Sequence, residues 1–434
     1  MLSTWIIANS EVLAENGQSI PKPFQSAIEA VKKITPNEPV TLIHDEIPFL
    51  REMSLKPDIE DSFHTVNVCR LVERFDLWNK HLSRVKVHYA VKTNHDLAIN
   101  NVMAALGSGF DCASKREMVQ TLQLGVNPQN IIFSHPRKPI SEIKFAEENH
   151  IKWMVFDSIE ELDKMLAYAP SVSYLLRIKT EDSHSVTPLS DKFGASLEEA
   201  YHILDYALKK KAPIVGIAFH VGSNNLDETA YSKALQQSST LFKYSEEKWH
   251  HSLTVLDIGG GWPGNHDERF VLFAKTVNRD LNHYFPKNIE VIAEPGRFFA
   301  SPTITAAIRI IGTQVQQTPA GPRYAYYLAN GAYGFFASSI YYHFDGKKLS
   351  LEGWDFKPLF HASEKQTKLY PSLFWGPTCD AGDKILDSIL FPKMQTNEFI
   401  YTQNIGAYSL ATQSNFNQIT PSKAYYVCSL NHLA

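Results

Sequence analysis

Short apolar stretches recur between positions 85 and 294, and helix-like segments separate them. In the first stretch Val85, Val87, Tyr89 and Val91 alternate with other residues, the period of two that is typical of a β-strand. Eight stretches are predicted as strands: "KVHYAVK", "GFDCAS", "NIIFSH", "KWMVFDS", "SYLLRIKT", "IVGIAFHVG", "LTVLDIGGG" and "EVIAEPGR". Helices such as "KREMVQTLQLG" and "SIEELDKMLAYA" lie between them. This alternation predicts an α/β fold, a (β/α)₈ TIM barrel, with a doubly wound sheet as the alternative.

The pattern changes on both sides of the predicted barrel, which we place at residues 64–303. Residues 1–36 form an N-terminal extension that contains one helix, "PFQSAIEAVKKI", and has no assigned role. In residues 37–63 the strand candidate "EPVTLIHDE" precedes a polar link, and this segment is expected to join the second domain. Residues 304–434 carry apolar and aromatic stretches with few helical spacers, which predicts an all-β domain.

The composition narrows the classes of partner. The formal net charge is -4, from 42 basic and 46 acidic residues with no long run of either sign, so nothing favours nucleic acid or an anionic membrane. A small-molecule ligand is expected. No apolar stretch is long enough to cross a bilayer, and the N-terminus has no basic residue before its brief apolar run, so a cytoplasmic location is predicted.

The chain has four cysteines, and they are widely separated: Cys69, Cys112, Cys379 and Cys428. They lack metal-ligand spacing and do not resemble a disulfide framework. We therefore expect free thiols in a reducing compartment, and no metal site is predicted.

Polar residues fall at the strand positions where a barrel carries its chemistry. Lys92 ends the first strand, and the others follow on later strands: Asp111, Arg177, His220, Gly259 to Gly261, Glu294 and Arg297. Each has an ordinary explanation alone, such as a helix cap, a core histidine, a tight turn or a surface ion pair. Together they fit one ligand, because a lysine can form a Schiff base with an aldehyde while glycine N–H groups and an arginine bind a phosphate.

Several segments resemble one known family. They are "YAVKTN", "GFDCASKREM", "LLRIKTEDSHSV", "KFGAS", "FHVGSN", "LDIGGGWPG", "AEPGRFF", "WGPTCDAGD" and "GAYS", in order over about residues 64 to 428. They are similar to the pyridoxal-phosphate ornithine/lysine decarboxylases, and most of all to ornithine decarboxylases. The resemblance implies the alanine racemase-like architecture of fold type III, with pyridoxal phosphate as cofactor. It also implies a homodimer with shared active sites, which decarboxylates ornithine to putrescine, or lysine, in polyamine biosynthesis.

The resemblance implies roles for the residues at the strand ends. Lys92 would hold the cofactor as a Schiff base with Asp111 beside it, and Glu294 would face the pyridine nitrogen. His220 would stack on the ring, and Arg177 would lie next to the cofactor. The phosphate would be bound by a larger set, which comprises Ser223, Gly259, Gly260, Gly261, Gly296, Arg297 and Tyr408.

Residues after the barrel complete the implied site. In the family the segment that matches "GPTCD" reaches the partner subunit's cofactor, so Cys379 would return a proton to Cα; a buried structural cysteine is the alternative. Asp380 would bind the distal amine of the substrate. Family members carry a tyrosine and then an aspartate where this chain has Tyr341 and Tyr342, and Asp345 is a candidate substitute for that aspartate.

Three alternatives stay open at this point. The Tyr342 difference leaves a modified or non-basic amino acid from a biosynthetic pathway as a second substrate class. An inactive regulator that resembles the antizyme inhibitors is disfavoured, since such proteins lose cofactor-binding residues that this chain keeps. A racemase is also disfavoured, because racemases on the related barrel usually present a tyrosine where this chain has Cys379 and Asp380.

Overall fold

A computed structural model describes residues 20–337, 354–360 and 368–430. The chain divides into two compact units. The barrel unit comprises Glu73–Lys92 and Met103–Phe299. The sheet unit comprises Met1–Val72, Thr93–Val102 and Ala300–Ala434.

The described residues form eleven α-helices and nineteen strands. The helices are α1 (Lys22–Ile34), α2 (Glu46–Ser54), α3 (Cys69–Leu82), α4 (Leu97–Ala105), α5 (Lys115–Gln123), α6 (Ile140–Glu148), α7 (Ile159–Tyr168), α8 (Leu197–Lys209), α9 (Thr229–Trp249), α10 (Asp267–Tyr284) and α11 (Arg297–Ala300). The strands are β1 (Thr41–Ile43), β2 (Phe63–Asn67), β3 (Val85–Ala90), β4 (Gly109–Cys112), β5 (Ile131–Phe133), β6 (Trp153–Phe156), β7 (Ser173–Ile178), β8 (Ser185–Thr187), β9 (Ile214–Phe219), β10 (Ser223–Asn225), β11 (Val255–Asp257), β12 (Glu290–Ala293), β13 (Ile304–Thr318), β14 (Gly321–Leu328), β15 (Lys357–Pro358), β16 (Leu369–Trp375), β17 (Lys384–Pro392), β18 (Phe399–Thr402) and β19 (Lys423–Ser429).

Eight parallel strands close into a barrel in the barrel unit, in the order β3, β4, β5, β6, β7, β9, β11 and β12. These are the eight strands predicted from the sequence, and the predicted TIM barrel is confirmed. Both faces of such strands are buried, so they read as short apolar runs. The barrel core is a cluster of buried side chains from six strands: Ile132, Trp153, Val155, Leu175, Ala218, Val255 and Ile292.

Serine residues cap the N-termini of several barrel helices. Ser114 and Ser158 each accept a backbone N–H three residues ahead, at the first turns of α5 and α7. Ser196 and Glu199 form a reciprocal capping box at the start of α8. These caps satisfy N–H groups that the first helical turn leaves unpaired.

The sheet unit is built on a nine-stranded sheet in the order β1, β19, β2, β13, β14, β16 and β17, and β18 pairs with β13 and β15. The predicted barrel range of 64–303 begins within β2, but β2 pairs with β13 and β19 in this sheet. A short apolar strand does not reveal which sheet it joins, because its partners lie far away in the sequence. The predicted all-β second domain is confirmed.

The polar link predicted before residue 63 is wrong in part, because α2 lies there. The Asp45 carboxylate accepts the Ile47 N–H and starts this helix. Leu50 and Met53 on α2 pack into one apolar cluster with Phe63 of β2. The helix was not predicted because it is only nine residues long and polar residues lie between its apolar positions.

The expectation of four free thiols is also wrong. Cys69, at the start of α3, is disulfide-bonded to Cys428 on β19, over a sequence separation of 359 residues. Cys112 is a buried free thiol and Cys379 is an exposed one. So long a separation gives no sign in the sequence that the two side chains meet.

No helix in the described ranges is long and apolar enough to cross a membrane.

Candidate active site

Lys92 lies directly after β3, in a single 3₁₀ turn (Val91–Thr93). Its ammonium group is 2.6 Å from the Asp111 carboxylate on the neighbouring strand β4. Asp111 is completely buried, whereas the Lys92 side chain is 36% exposed. Ser134, after β5, donates a hydrogen bond to the other oxygen of Asp111. A buried carboxylate with two donors holds the amine at the rim while leaving part of it accessible.

Two further acids lie at the ends of adjacent strands. Asp257 ends β11 and Glu294 follows β12, and both side chains are less than a tenth exposed. Burial raises the pKa of Asp257 to about 7. Burial, and then the charges of Asp111 and Asp257, raises the pKa of Glu294 well above its usual range. The buried Oε1 atom of Glu294 has no hydrogen-bond partner among the described residues, so it can accept a donor from a ligand.

Arg177 and His220 contribute a cation and a neutral ring. Arg177 lies on β7, where burial lowers the pKa of its guanidinium and the carboxylates of Glu294 and Asp157 oppose that shift. Burial, together with the charges of Arg177 and Lys92, lowers the pKa of His220 well below its usual range. Its Nδ1 atom accepts the Gly222 N–H at 3.1 Å, so the neutral ring carries its proton on Nε2.

The glycine run after β11 forms a tight turn that needs glycine. Gly259 and Gly261 have φ angles of +60° and +105°. A Cβ atom on Gly259 would lie 2.0 Å from the carbonyl oxygen of Phe219, and one on Gly260 would lie 2.7 Å from the His220 ring. Nearby, Arg297 donates to the Ser223 hydroxyl at 2.9 Å. Backbone N–H groups and an arginine are the usual components of an anion site.

The remaining predicted residues lie in the sheet unit or outside the described residues. Tyr408 has a φ angle of +54°, in the left-handed region that is uncommon for a tyrosine. Cys379 is exposed, and its backbone N–H donates to Asn417. Tyr333 donates to Asp380, and that hydrogen bond lowers the pKa of the Asp380 carboxyl. Tyr341, Tyr342 and Asp345 lie outside the described residues.

The residues of the barrel unit fit a particular kind of ligand. An unpaired, buried Oε1 of Glu294 suits a protonated ring nitrogen, and a flat neutral imidazole suits stacking on a ring. The glycine turn and Arg297 suit a phosphate, and the Lys92 amine suits an aldehyde. Pyridoxal phosphate combines these groups in one molecule.

Comparison with known families decides the assignment. Residues 68–301 match the model described as "Pyridoxal-dependent decarboxylase, pyridoxal binding domain", and residues 255–406 match its "C-terminal sheet domain". The chain belongs to the pyridoxal-dependent decarboxylases. Pyridoxal phosphate is therefore its cofactor, and the chain is an amino acid decarboxylase of the ornithine/lysine decarboxylase family, which acts on basic amino acids.

Curated relatives and solved structures agree with this assignment. A probable ornithine decarboxylase of Dictyostelium discoideum is 35% identical over 85% of this chain and 80% of its own length. Antizyme inhibitor 2 of Xenopus laevis is 34% identical over 87% of this chain and 83% of its own length. The Paramecium bursaria Chlorella virus arginine decarboxylase bound to agmatine superposes with a TM-score of 0.81 at 30% identity, covering 87% of this chain and 99% of that one. The Vibrio vulnificus lysine/ornithine decarboxylase complexed with cadaverine superposes with a TM-score of 0.77 at 27% identity, covering 88% of this chain and 98% of that one.

Sequence reasoning missed two polar residues of this cluster. Asp257 stands within the quoted "LDIGGGWPG" segment, and an acid two residues before a glycine run at a strand end could have marked it. Ser134 gives no such signal, because serines are common after strands. Its hydrogen bond to Asp111 depends on the register of β4 and β5.

Proposed function

We propose that this chain decarboxylates a basic amino acid, with ornithine or lysine as the substrate and putrescine or cadaverine as the amine product. The observation that carries the proposal is the arrangement at the barrel rim. There the amine of Lys92 pairs with the buried Asp111 carboxylate, and the unpaired Glu294 Oε1 lies in the same unit. The relatives and solved neighbours named above support the basic substrate.

The proposed roles follow from the contacts. Lys92 carries the cofactor, and Asp111 orients its amine. Glu294 would accept a hydrogen bond from the pyridine nitrogen at its unpaired Oε1 atom. When bound, pyridoxal phosphate supplies a ring that accepts the electrons remaining on the substrate as CO₂ departs. His220, neutral and flat, would pack against that ring.

The phosphate group has its own proposed binding set. Arg177 adds positive charge beside the cofactor, and Ser223 and Arg297 are already joined by a hydrogen bond. The family resemblance adds further residues to this set, namely Gly259, Gly260, Gly261, Gly296 and Tyr408. Backbone N–H groups and an arginine fork bind phosphate with directed, charge-assisted hydrogen bonds.

Cys379 and Asp380 are proposed to act in the active site of a partner subunit. The Cys379 side chain is exposed in the single chain, which suits a residue that completes another subunit's site. Its thiol would deliver a proton to Cα after decarboxylation. Asp380 carries a negative charge that matches the distal ammonium of ornithine or lysine. The chain is thus proposed to work as a homodimer.

A substrate panel tests the proposed function. CO₂ and amine release would be measured with ornithine, lysine, arginine, diaminopimelate and shorter diamino acids, for the wild type and for Asp380→Asn. Losing a charge-assisted contact costs on the order of 1.5 to 3 kcal/mol, so Asp380→Asn should weaken use of the basic substrates about tenfold or more. If no basic amino acid releases CO₂, or if Asp380→Asn acts as the wild type does, the substrate assignment is wrong.

The same panel tests the role of Tyr342. We expect Tyr342→Asp to improve ornithine use by about tenfold, because it places a second carboxylate where the related enzymes have one. Tyr342→Phe is the matched control, since it removes only the hydroxyl and should not improve ornithine use. Efficient turnover of ornithine by the wild type with no gain in Tyr342→Asp would show that Tyr342 does not set specificity.

The similarity to antizyme inhibitor 2 supports one second candidate, an inactive regulator. That candidate predicts a chain with no visible cofactor absorbance and no CO₂ release. The retained residues Lys92, Asp111, Glu294 and Arg297 favour the enzyme instead. A racemase is distinguished in the same assay by loss of optical activity without CO₂ release.

A cytoplasmic location is proposed from the sequence and from the similarity to ornithine decarboxylases. The Cys69–Cys428 disulfide is the observation against it, because such bonds are rare in the cytosol. Fractionation of the host cell with an antibody to the chain tests the location.

A further inference from the structure

All three carbonyl groups of the glycine turn accept hydrogen bonds from the barrel unit. The Gly259 carbonyl accepts the Trp262 indole N–H at 3.0 Å and also the Glu294 N–H at 2.9 Å. The Gly260 carbonyl accepts the Tyr231 hydroxyl at 2.9 Å. The Gly261 carbonyl accepts the backbone N–H of Asn225 at 3.2 Å. The hydrogen bonds to these carbonyls therefore restrict the orientation of each peptide plane in the turn.

The orientation of the carbonyls determines the orientation of the N–H groups. In a trans peptide the C=O of one residue and the N–H of the next point in opposite directions. The N–H groups of Gly260, Gly261 and Trp262 therefore point away from the donors that hold the carbonyls. None of these three N–H groups donates to an acceptor within the described part of the chain. Successive backbone N–H groups without an acceptor in the chain are the usual components of an anion-binding concavity.

The two side-chain donors are themselves immobile. Tyr231 is completely buried on α9, and Trp262 is 1% exposed. Their rings lie 4.6 Å apart, and Trp262 also packs against Trp78 at 5.0 Å between centroids. Burial raises the pKa of the Tyr231 hydroxyl well above its usual range, so it stays protonated and remains a donor.

We propose that Tyr231 and Trp262 are positioning residues that hold the glycine turn ready for the phosphate of pyridoxal phosphate. Each side chain would act through a backbone carbonyl of the turn. The two hydrogen bonds would raise the affinity for the phosphate by preorganisation. A glycine turn that is not held would lose more conformational freedom when the phosphate binds. The proposal rests on the cofactor assignment and goes beyond it by naming what orients the turn.

The test compares Tyr231→Phe and Trp262→Phe with matched controls in the same unit. Tyr174→Phe removes a buried hydroxyl that donates to the Ala169 carbonyl at 2.7 Å, and Trp249→Phe removes an indole N–H that donates to the Asp205 carboxylate at 2.7 Å. The controls thus lose the same kind of hydrogen bond away from the glycine turn. For each apo-protein, Kd would be measured for pyridoxal phosphate and for pyridoxal, which lacks the phosphate, along with Tm.

We expect Tyr231→Phe and Trp262→Phe to weaken pyridoxal phosphate about three- to tenfold each, the range for one lost hydrogen bond. Pyridoxal should bind these two variants as it binds the wild type. The controls should lower Tm to a similar extent without changing the ratio of the two Kd values. If Trp262→Phe does not fold, Tyr231→Phe alone tests the proposal, because the tyrosine-to-phenylalanine change removes only one oxygen atom.

Two results would overturn the proposal while leaving the cofactor assignment intact. One is an unchanged Kd for pyridoxal phosphate in Tyr231→Phe. The other is an equal loss of affinity for both aldehydes, which would indicate a general packing role. A wild type that binds neither aldehyde would instead overturn the cofactor assignment on which the proposal rests.

Discussion

Buried ionisable residues of the barrel unit occur in two different settings. At the rim, charges of opposite sign oppose the effect of burial on the pKa values of Arg177 and Glu294, although the charges of Asp111 and Asp257 raise the pKa of Glu294 further. The charges of Glu290 and Asp111 oppose the fall in the pKa of His88 on β3, but neither ring nitrogen has a hydrogen-bond partner among the described residues and the side chain is 5% exposed. Its ring lies near Trp153, at 5.7 Å between centroids. Protonation of His88 in the folded state is therefore costly.

This setting predicts a stability loss at acid pH. Burial lowers the pKa of His88 to about 4, below the unfolded value of 6.5. As pH falls, the unfolded state therefore binds a proton at His88 before the folded state does. This difference lowers the free energy of unfolding as pH falls from 6.5 toward 4. Between pH 7 and pH 5 the expected loss is about 2 kcal/mol, from the usual 1.36 kcal/mol per pKa unit. Urea unfolding at both pH values measures it.

His88→Leu should remove this part of the pH dependence, because leucine has similar volume and no proton to bind. His202→Leu is the control, since His202 is exposed on α8 and should leave the wild-type pH dependence unchanged. An equal loss of stability in wild type and His88→Leu would show that His88 does not titrate on unfolding.

At the scale of elements, the sequence predicts what depends on local pattern and misses what depends on distant partners. The barrel strands were found because doubly buried parallel strands read as short apolar runs between helices. Strand β17 was missed, because its apolar positions lie among polar residues such as Asp387 and Ser388. The sheet that β2 joins, the packing of α2 and the disulfide are set by pairing over hundreds of residues.

The disulfide gives a direct prediction about elements α3 and β19. Protein unfolded without reductant should show two free thiols, Cys112 and Cys379, and reduction should raise the number to four. Cys69→Ser should lower the free energy of unfolding by about 2 to 4 kcal/mol, because an unbridged chain gains freedom when it unfolds. Cys112→Ser, which breaks no bond between cysteines, is the comparison. Four titratable thiols before reduction would contradict the pairing.

At the scale of the whole molecule, the candidate site was predictable in part. Lys92, Asp111, Arg177, His220 and Glu294 were placed together because the carboxyl ends of parallel strands share one rim. Tyr231 and Trp262 were not predicted, because a buried aromatic residue reads as core unless its polar atom's partner is known. The predicted contacts of Tyr342 stay a prediction.

The proposed homodimer predicts complementation between inactive variants. Lys92→Ala damages the barrel unit and Cys379→Ala damages the segment contributed in trans, so a mixed dimer would contain one intact site. Random exchange makes half of the dimers mixed, and activity should recover to about a quarter of the wild-type value under C₂ symmetry. CO₂ release after verified subunit exchange measures it.

A second mixture controls for non-specific recovery. Lys92→Ala and Glu294→Ala both alter the barrel unit, so every site of their mixed dimer would carry one defect, and no activity should return. Recovery in this control would show that the two residues do not serve the same site. No recovery in the Lys92→Ala and Cys379→Ala mixture would show that the sites are not shared.

The central claim is that Lys92 holds the cofactor at the barrel rim, and reductive trapping tests it most directly. Holoenzyme reduced with borohydride, digested and analysed by mass spectrometry should carry the pyridoxyl group on the peptide that contains Lys92. Ornithine or lysine added before reduction should lower that labelling, because the substrate amine competes for the cofactor. Lys92→Arg should carry no label at this position. Labelling of another lysine, such as Lys138 or Lys192, with Lys92 unmodified would contradict the account.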